Sequence, residues 1–309
     1  MRVLVMGAGA VGGYYGGVLA RRGHDVVFVA RGEHLAAMRE RGLELRTDGQ
    51  TYLLRPVRAV ASPAEAGEPV DLVLFTVKGY DAEAAAAALR PVVGPATAVL
   101  TLLNGVDSAD QLSRALGAEH VLAGMTLILT NVVAPGVIDQ TSPFRKITMG
   151  ELTGGVTPRA EAVAAALRSA GVEVTLSADP MVGVWTKFIM QAPHATLTTA
   201  CQSALGPIRE TPEGAALYLT LIREVVAVGR AAGVALPADA AEATMDLIRS
   251  LPATAMTSMQ RDFERRRRTE LEQLTGAVVR RGQALGVPTP AFAALYAVLR
   301  VRALAFGGV

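Results

Sequence analysis

The chain of 309 residues holds a single cysteine, a single tryptophan and only 5% aromatic residues. One cysteine, Cys201, can form no internal disulfide, and the spacings that hold structural zinc are impossible, so no metal site is expected. Charge is also scarce, at 19% of residues against about 25% in ordinary soluble domains. Lys plus Arg number 30 and Asp plus Glu 28, a formal net charge of +2. So small an excess argues against a dedicated nucleic-acid binder, which neutralises phosphates with concentrated Lys and Arg. Long apolar runs are missing too. The most apolar long window, Val121 to Ile138, is broken by Thr126, Thr130, Asn131, Pro135 and Gly136, so no membrane span is expected. The start, MRVLVMGAGAVGG, carries no charged leader, apolar core and cleavage site, and the expectation is a soluble cytoplasmic protein. What is plentiful is apolar residue, 51% of the chain, enough to offset the entropy of folding and to exclude a disordered protein.

The first half alternates short apolar runs with helical stretches. Strands are expected at Arg2–Met6, Val26–Ala30, Asp71–Val77 and Ala98–Leu103, with helices after the first, over Glu33–Arg41, and in the Ala-rich segment before Ala98. Such βαβ alternation implies a mainly parallel sheet. Leu43–Val60 alternates around Asp48-Gly49, a hairpin signal. Val121–Val133 and Val137–Met149 read as hairpin-connected strands, followed by a helix from Arg159 to Ser169 and a strand at Val172–Leu176. After Ser177 helical periodicity takes over, at 181–200, 212–232, 238–250, 257–285 and 290–305, with Pro207, Pro212, Pro237, Pro252 and Pro288 beside the ends. The expected organisation is an α/β domain over 1–178 and an all-α domain over 179–309.

Gly7-Ala8-Gly9-Ala10-Val11-Gly12 is a G-x-G-x-x-G placed after the first strand and at the start of the first helix, the context in which it binds a dinucleotide. Gly7 suits a tight turn, Gly9 lets a pyrophosphate reach the backbone, and Gly12 lets helix and strand pack closely. The plainer alternative is a glycine-rich turn with no ligand. At the end of the second strand an Asp or Glu would hold the 2′-hydroxyl of NADH, but this chain reads Val29-Ala30-Arg31. An Arg there binds a 2′-phosphate by charge-assisted hydrogen bonds, so NADPH is expected over NADH unless Arg31 is simply solvated. Lys78 and Asn104 follow the ends of later strands, where open α/β sheets bind ligands. Lys187, in Trp185-Thr186-Lys187-Phe188, sits in an apolar run where burial lowers a lysine pKa toward the range useful for proton transfer.

In order along the chain, GAGAVGG, VARGEHL, TVKGYD, LLNGV, WTKF, SMQRD, TELEQLTG and GVPTP resemble the ketopantoate reductases (2-dehydropantoate 2-reductases) over nearly the whole length. The resemblance implies a Rossmann-type N-terminal domain, an all-α C-terminal domain of the 6-phosphogluconate dehydrogenase C-terminal type, and an active site in the cleft between them. It implies that Lys187 is the general acid, Glu270 the active-site glutamate and Ser258 a substrate contact. Lys78 and Asn104 would line the cofactor and substrate sites, and Arg31 would hold the 2′-phosphate of NADPH. The reaction implied is hydride transfer to the ketone of a small 2-oxo acid, a step of pantothenate biosynthesis. Homodimerisation through the helical half is implied as well.

The chain departs from the family where its members carry K-x-x-x-N-x-x-x-N. Gln191 stands at the first Asn and Ala195 at the second, and Pro193 falls inside the same helix, where it removes a backbone donor and can kink it. Losing a partner for a buried polar group costs about 1–3 kcal/mol. Either the site takes ketopantoate through Gln191, Ser258 and neighbours, or it accepts a different oxo or imine substrate. A further alternative is a non-catalytic NADP(H)-binding regulator, against which Lys187, Glu270 and Ser258 weigh. His194, two helical turns past Lys187, is either a substitute acid or carboxylate binder or a packed histidine. Arg265–Arg268 is expected on a helix, as a solvated face making i,i+4 pairs or with one Arg turned to the substrate. Cys201 is expected in the core.

Overall fold

Runs such as Leu72–Phe75 and Ala98–Thr101 carry no alternation because both of their faces are covered. The computed structural model describes the whole chain, Met1–Val309, and divides it into two units: Met1–Leu103 with Ser108–Gly183, and Asn104–Asp107 with Val184–Val309. The first unit is built on β1 (Arg2–Met6), β2 (Asp25–Val29), β3 (Leu43–Thr47), β4 (Gln50–Leu54), β5 (Arg58–Val60), β6 (Leu72–Phe75), β7 (Ala98–Thr101), β8 (Val121–Leu127), β9 (Thr130–Ala134), β10 (Val137–Gln140), β11 (Lys146–Glu151) and β12 (Glu173–Leu176). Its helices are α1 (Ala10–Ala20), α2 (Gly32–Arg41), α3 (Ala82–Ala88), α4 (Ser108–Leu116) and α5 (Pro158–Ser169). The main sheet runs β12-β11-β8-β7-β6-β1-β2-β5, parallel throughout except for the β8–β11 pair.

Successive side chains of each strand enter opposite cores. Val3 and Val5 of β1 pack with Tyr14, Tyr15 and Leu19 of α1 and with Val163 and Leu167 of α5. Leu4 and Met6 pack with Ala85 and Ala86 of α3, with Leu89 just past its end and with Leu112 of α4. This doubly wound, Rossmann-type sheet agrees with the expected α/β domain. β1 lies between β2 and β6, with Met6 opposite both Val29 and Phe75. The chain reverses its direction of winding there, the place where such sheets bind ligands.

A second sheet runs β4-β3-β10-β9. β3 and β4 form the hairpin signalled by Asp48-Gly49, and both turn residues have positive φ, +54° and +70°. The run Val121–Val133 is not one strand of a hairpin. β8 is almost wholly buried and pairs with β11 in the main sheet, whereas β9 is largely exposed and pairs with β10 in the small one. Pairing is set by burial in two different layers rather than by proximity along the chain.

The helical region comprises α6 (Pro180–Cys201), α7 (Leu205–Glu210), α8 (Pro212–Ala231), α9 (Ala240–Ser250), α10 (Ser258–Glu264), α11 (Ala277–Leu285) and α12 (Pro290–Leu304). α6 stays helical through Pro193, although Pro193 has no N–H to donate to the Ile189 C=O. The start of α12 is capped by a distant carboxylate: Glu224 of α8, itself buried, accepts the Ala291 and Phe292 N–H groups at 2.8 and 2.9 Å. No helix is long and apolar enough to cross a membrane.

The helix expected over 257–285 is broken. α10 ends in a Schellman closure, with the Arg266 N–H donating to Phe263 C=O at 3.1 Å and the Arg267 N–H to Asp262 C=O at 2.8 Å. Arg266 takes the left-handed conformation that this closure requires, at φ +50°. The chain then runs without regular structure to a π-helical turn at Glu272–Gly276 before α11. Arg265–Arg268 are all exposed in that break, not on a helix face. Cys201 closes α6 and is exposed, not in the core.

Candidate active site

Because β2, β1 and β6 are adjacent and parallel, the turns after them leave the sheet side by side. The middle turn is the glycine fingerprint. Gly7 has φ +97°, and a Cβ there would lie 2.8 Å from Val77 N. A Cβ on Gly12 would lie 2.3 Å from both Gly7 O and Thr76 Oγ1, so helix and strand approach closely only with glycine. Gly9 differs: a Cβ there would meet nothing within 4 Å, and the backbone faces open space. The first bond inside α1 is Gly13 N–H to Gly9 C=O at 2.7 Å, which leaves the Ala10, Val11 and Gly12 amides at the helix start, with no acidic residue in the first turn. An open backbone at Gly9 beside those amides fits a dinucleotide pyrophosphate.

On one side of this turn, Arg31 precedes α2, and its guanidinium is 3.4 Å from Asp81 Oδ2. On the other, Lys78 is exposed and opens the short turn Gly79–Asp81, where the Asp81 N–H donates to Lys78 C=O at 2.9 Å. The sequence alone does not single out Asp81. Its signal was an acidic residue just beyond the carboxyl end of a parallel strand.

The second unit holds the remaining residues. Lys187 lies on α6, and its Nζ donates to Asn104 Oδ1 at 3.1 Å. Burial pushes the ammonium down from its ordinary value to about 8, while the Glu270 carboxylate acts in the opposite sense. Glu270 is itself buried, just ahead of the π-helical turn, and its carbonyl accepts the Gln273 and Leu274 N–H groups. Insertions of this kind recur at functional sites because they re-aim the residues around them.

Asn104 is held in place by its neighbours. Asp107 accepts from Arg281 Nε at 2.7 Å, Arg281 also donates to Val106 C=O at 3.2 Å, and Arg280 is 3.5 Å from the same carboxylate. Gly105 has φ +87°, and a Cβ there would lie 2.7 Å from Gln273 O. The pairing of Asp107 with Arg281 is a second feature that the sequence does not announce, since 174 positions separate the two.

Gln191 follows Lys187 by one turn on the same face of α6. Ser258 starts α10 and is exposed, and Thr257 beside it is 3.4 Å from Thr198 of α6, three turns past Lys187. Lys187 therefore meets Asn104 and feels Glu270, Gln191 shares the Lys187 face of α6, and Thr257, the neighbour of Ser258, meets that helix farther along. Ala195 is fully buried. His194 is buried against Tyr218, with ring centroids 6.3 Å apart, and its Nδ1 has no hydrogen-bond partner. Burial pushes its pKa down to about 4, so near neutral pH it is uncharged and cannot serve as a proton donor in place of Lys187.

The family description "Ketopantoate reductase PanE/ApbA" matches residues 3–154, and its C-terminal counterpart matches residues 179–303. A 2-dehydropantoate 2-reductase of Halobacterium salinarum is 33% identical over 97% of this chain and 98% of its own length. The uncharacterized oxidoreductase YkpB of Bacillus subtilis is 31% identical, again over 97% of this chain and 98% of its own. Among solved structures, a PanE/ApbA family ketopantoate reductase from Ralstonia eutropha JMP134 has a TM-score of 0.91 at 34% identity, covering 99% of this chain and 100% of that one. Both halves match, each in its place along the chain, and the chain therefore belongs to the ketopantoate reductase family of nicotinamide-dependent oxidoreductases.

Proposed function

We propose that this protein reduces a small 2-oxo acid of the ketopantoate type with NADPH, and that Lys187 is its general acid. The observation that carries this is the Lys187–Asn104 hydrogen bond in the field of Glu270, around an ammonium brought down to about 8. NADPH, when bound, supplies the hydride that reaches the ketone carbon. Lys187 Nζ gives its proton to the alkoxide oxygen that forms. With a pKa of about 8 it is protonated roughly ten to one at pH 7 and yields a proton far more readily than an ordinary lysine. Asn104 accepts from Nζ and fixes its direction. Glu270 keeps the ammonium charged and orients it. Gln191 and Ser258 are the substrate-binding side chains. Gly7 to Gly12 would receive the pyrophosphate, Arg31 would receive the 2′-phosphate, and Lys78 would line the cofactor site.

NADPH oxidation followed at 340 nm with ketopantoate, for the wild type and Lys187→Ala, tests this. Turnover at ordinary enzyme rates that falls at least about 100-fold in the variant is expected. Wild-type kcat in Lys187→Ala would remove the assigned acid.

A second reading keeps the same chemistry and changes the oxo substrate. It is favoured by Gln191 and by the buried Ala195, which offers no polar group where the family has an asparagine. A panel of 2-oxo acids, together with Gln191→Asn/Ala195→Asn, separates the two readings. A gain of ketopantoate activity in that variant supports the changed substrate, and no gain counts against it.

A further inference from the structure

Beyond the residues used above, the edge of the nucleotide site carries a pair of opposite charges. Arg31 Nη1 stands 3.4 Å from Asp81 Oδ2, with the two side chains 74% and 32% exposed. The partners come from turns on opposite sides of the glycine fingerprint, one after β2 and one after β6, so the pair spans that turn. An ion pair this exposed and this long is weak and is readily exchanged for another partner. Any anion that Arg31 binds must nevertheless share or displace the Asp81 carboxylate.

We propose that Asp81 is a cofactor-specificity residue: it competes with the 2′-phosphate for Arg31 and so lowers the preference for NADPH over NADH. This rests on the reading of Arg31 as the 2′-phosphate ligand. Arg31 leans toward Asp81. Binding of NADPH has to exchange that contact for one with the phosphate, while the carboxylate remains next to the doubly charged group. NADH bears only a hydroxyl at that position. It requires no exchange, and a carboxylate near a ribose hydroxyl is an acceptor instead of a repulsive neighbour. Arg31 attracts the phosphate, Asp81 subtracts from that attraction, and the difference sets the selectivity.

Dissociation constants for NADPH and NADH, read by isothermal titration calorimetry on the intact protein, test this in the wild type, Asp81→Asn, Asp81→Ser and Arg31→Ala. Asp81→Asn is expected to tighten NADPH by about 3- to 10-fold without tightening NADH, the size that a screened surface charge supports. Asp81→Ser should act in the same direction, which guards against an effect peculiar to one side chain. Adding Asp81→Asn to Arg31→Ala should tighten NADPH less than Asp81→Asn does in the wild type, because the contested guanidinium is gone and only the direct repulsion remains to be relieved. An unchanged NADPH constant in Asp81→Asn, or equal tightening of both cofactors, would overturn the proposal. The underlying reading fails separately, if Arg31→Ala leaves NADPH binding as it was. If Arg31→Ala weakens NADPH more than about 10-fold while neither Asp81 variant changes it, the role of Asp81 alone is refuted.

Discussion

Glu270→Gln keeps the shape of the side chain beside Lys187 and removes its charge. Lys187 sits at about 8 because burial, the larger effect, lowers its pKa while Glu270 raises it. Without the carboxylate only the lowering remains, so the folded-state pKa must fall further. A single nearby opposite charge is worth roughly one unit or somewhat more. With the ammonium as the proposed proton donor, the reaction should lose rate as pH rises through this pKa. In the wild type the alkaline limb should be centred near 8. In Glu270→Gln it should be centred about one unit lower. At pH 7 the protonated fraction then drops from roughly nine-tenths to roughly half, and at pH 9 the two proteins differ about 10-fold. The assay is kcat/KM for the 2-oxo acid against pH, from about 6 to about 10, with saturating NADPH. A lower plateau with an unmoved limb would mean that Glu270 only positions substrate. A limb that moves upward would refute the electrostatic reasoning altogether.

At the glycine fingerprint, Gly9→Ala should fold normally, since its Cβ meets nothing within 4 Å, yet bind NADPH at least about 10-fold more weakly by calorimetry. Gly12→Ala should do the reverse: its Cβ would lie 2.3 Å from Gly7 O and Thr76 Oγ1, so a thermal melt should show lost stability even without cofactor. Equal melting temperatures for the two variants would contradict the packing described. Glu224→Ala strips the cap from Ala291 and Phe292 and should lower stability by about 1–3 kcal/mol, a melting temperature several degrees lower. An unchanged melt would show that the α12 amides find other partners.

The fingerprint was legible because its requirements are local: a tight turn, an open backbone and a helix start all fall within six residues of one strand end. The parallel sheet was legible for a related reason, since strands buried on both faces leave runs such as Leu72–Phe75 apolar throughout. The segment 257–285 misled because helical periodicity persists across Arg265–Arg268, while the break depends on Arg266 accepting φ +50°, a conformation few would assign to an arginine. The split of Val121–Val133 between two sheets was hidden likewise, because local pattern does not say which layer a strand joins.

By itself the sequence determined the cofactor half: the order of strand, glycine turn and helix, the absence of a carboxylate after β2, and the family to which the motifs belong. Lys187, Asn104 and Glu270 were each recognisable in their own motifs, but tertiary structure alone decided what they do to one another. Asn104 and Lys187 are 83 positions apart and meet at 3.1 Å. The lysine reaches a pKa of about 8 only because the fold removes its water while placing a carboxylate within its field. Arg31 and Asp81, 50 positions apart, are set against each other in the same manner. Hydration and Coulomb interaction depend on distance in space, which a list of residues does not contain.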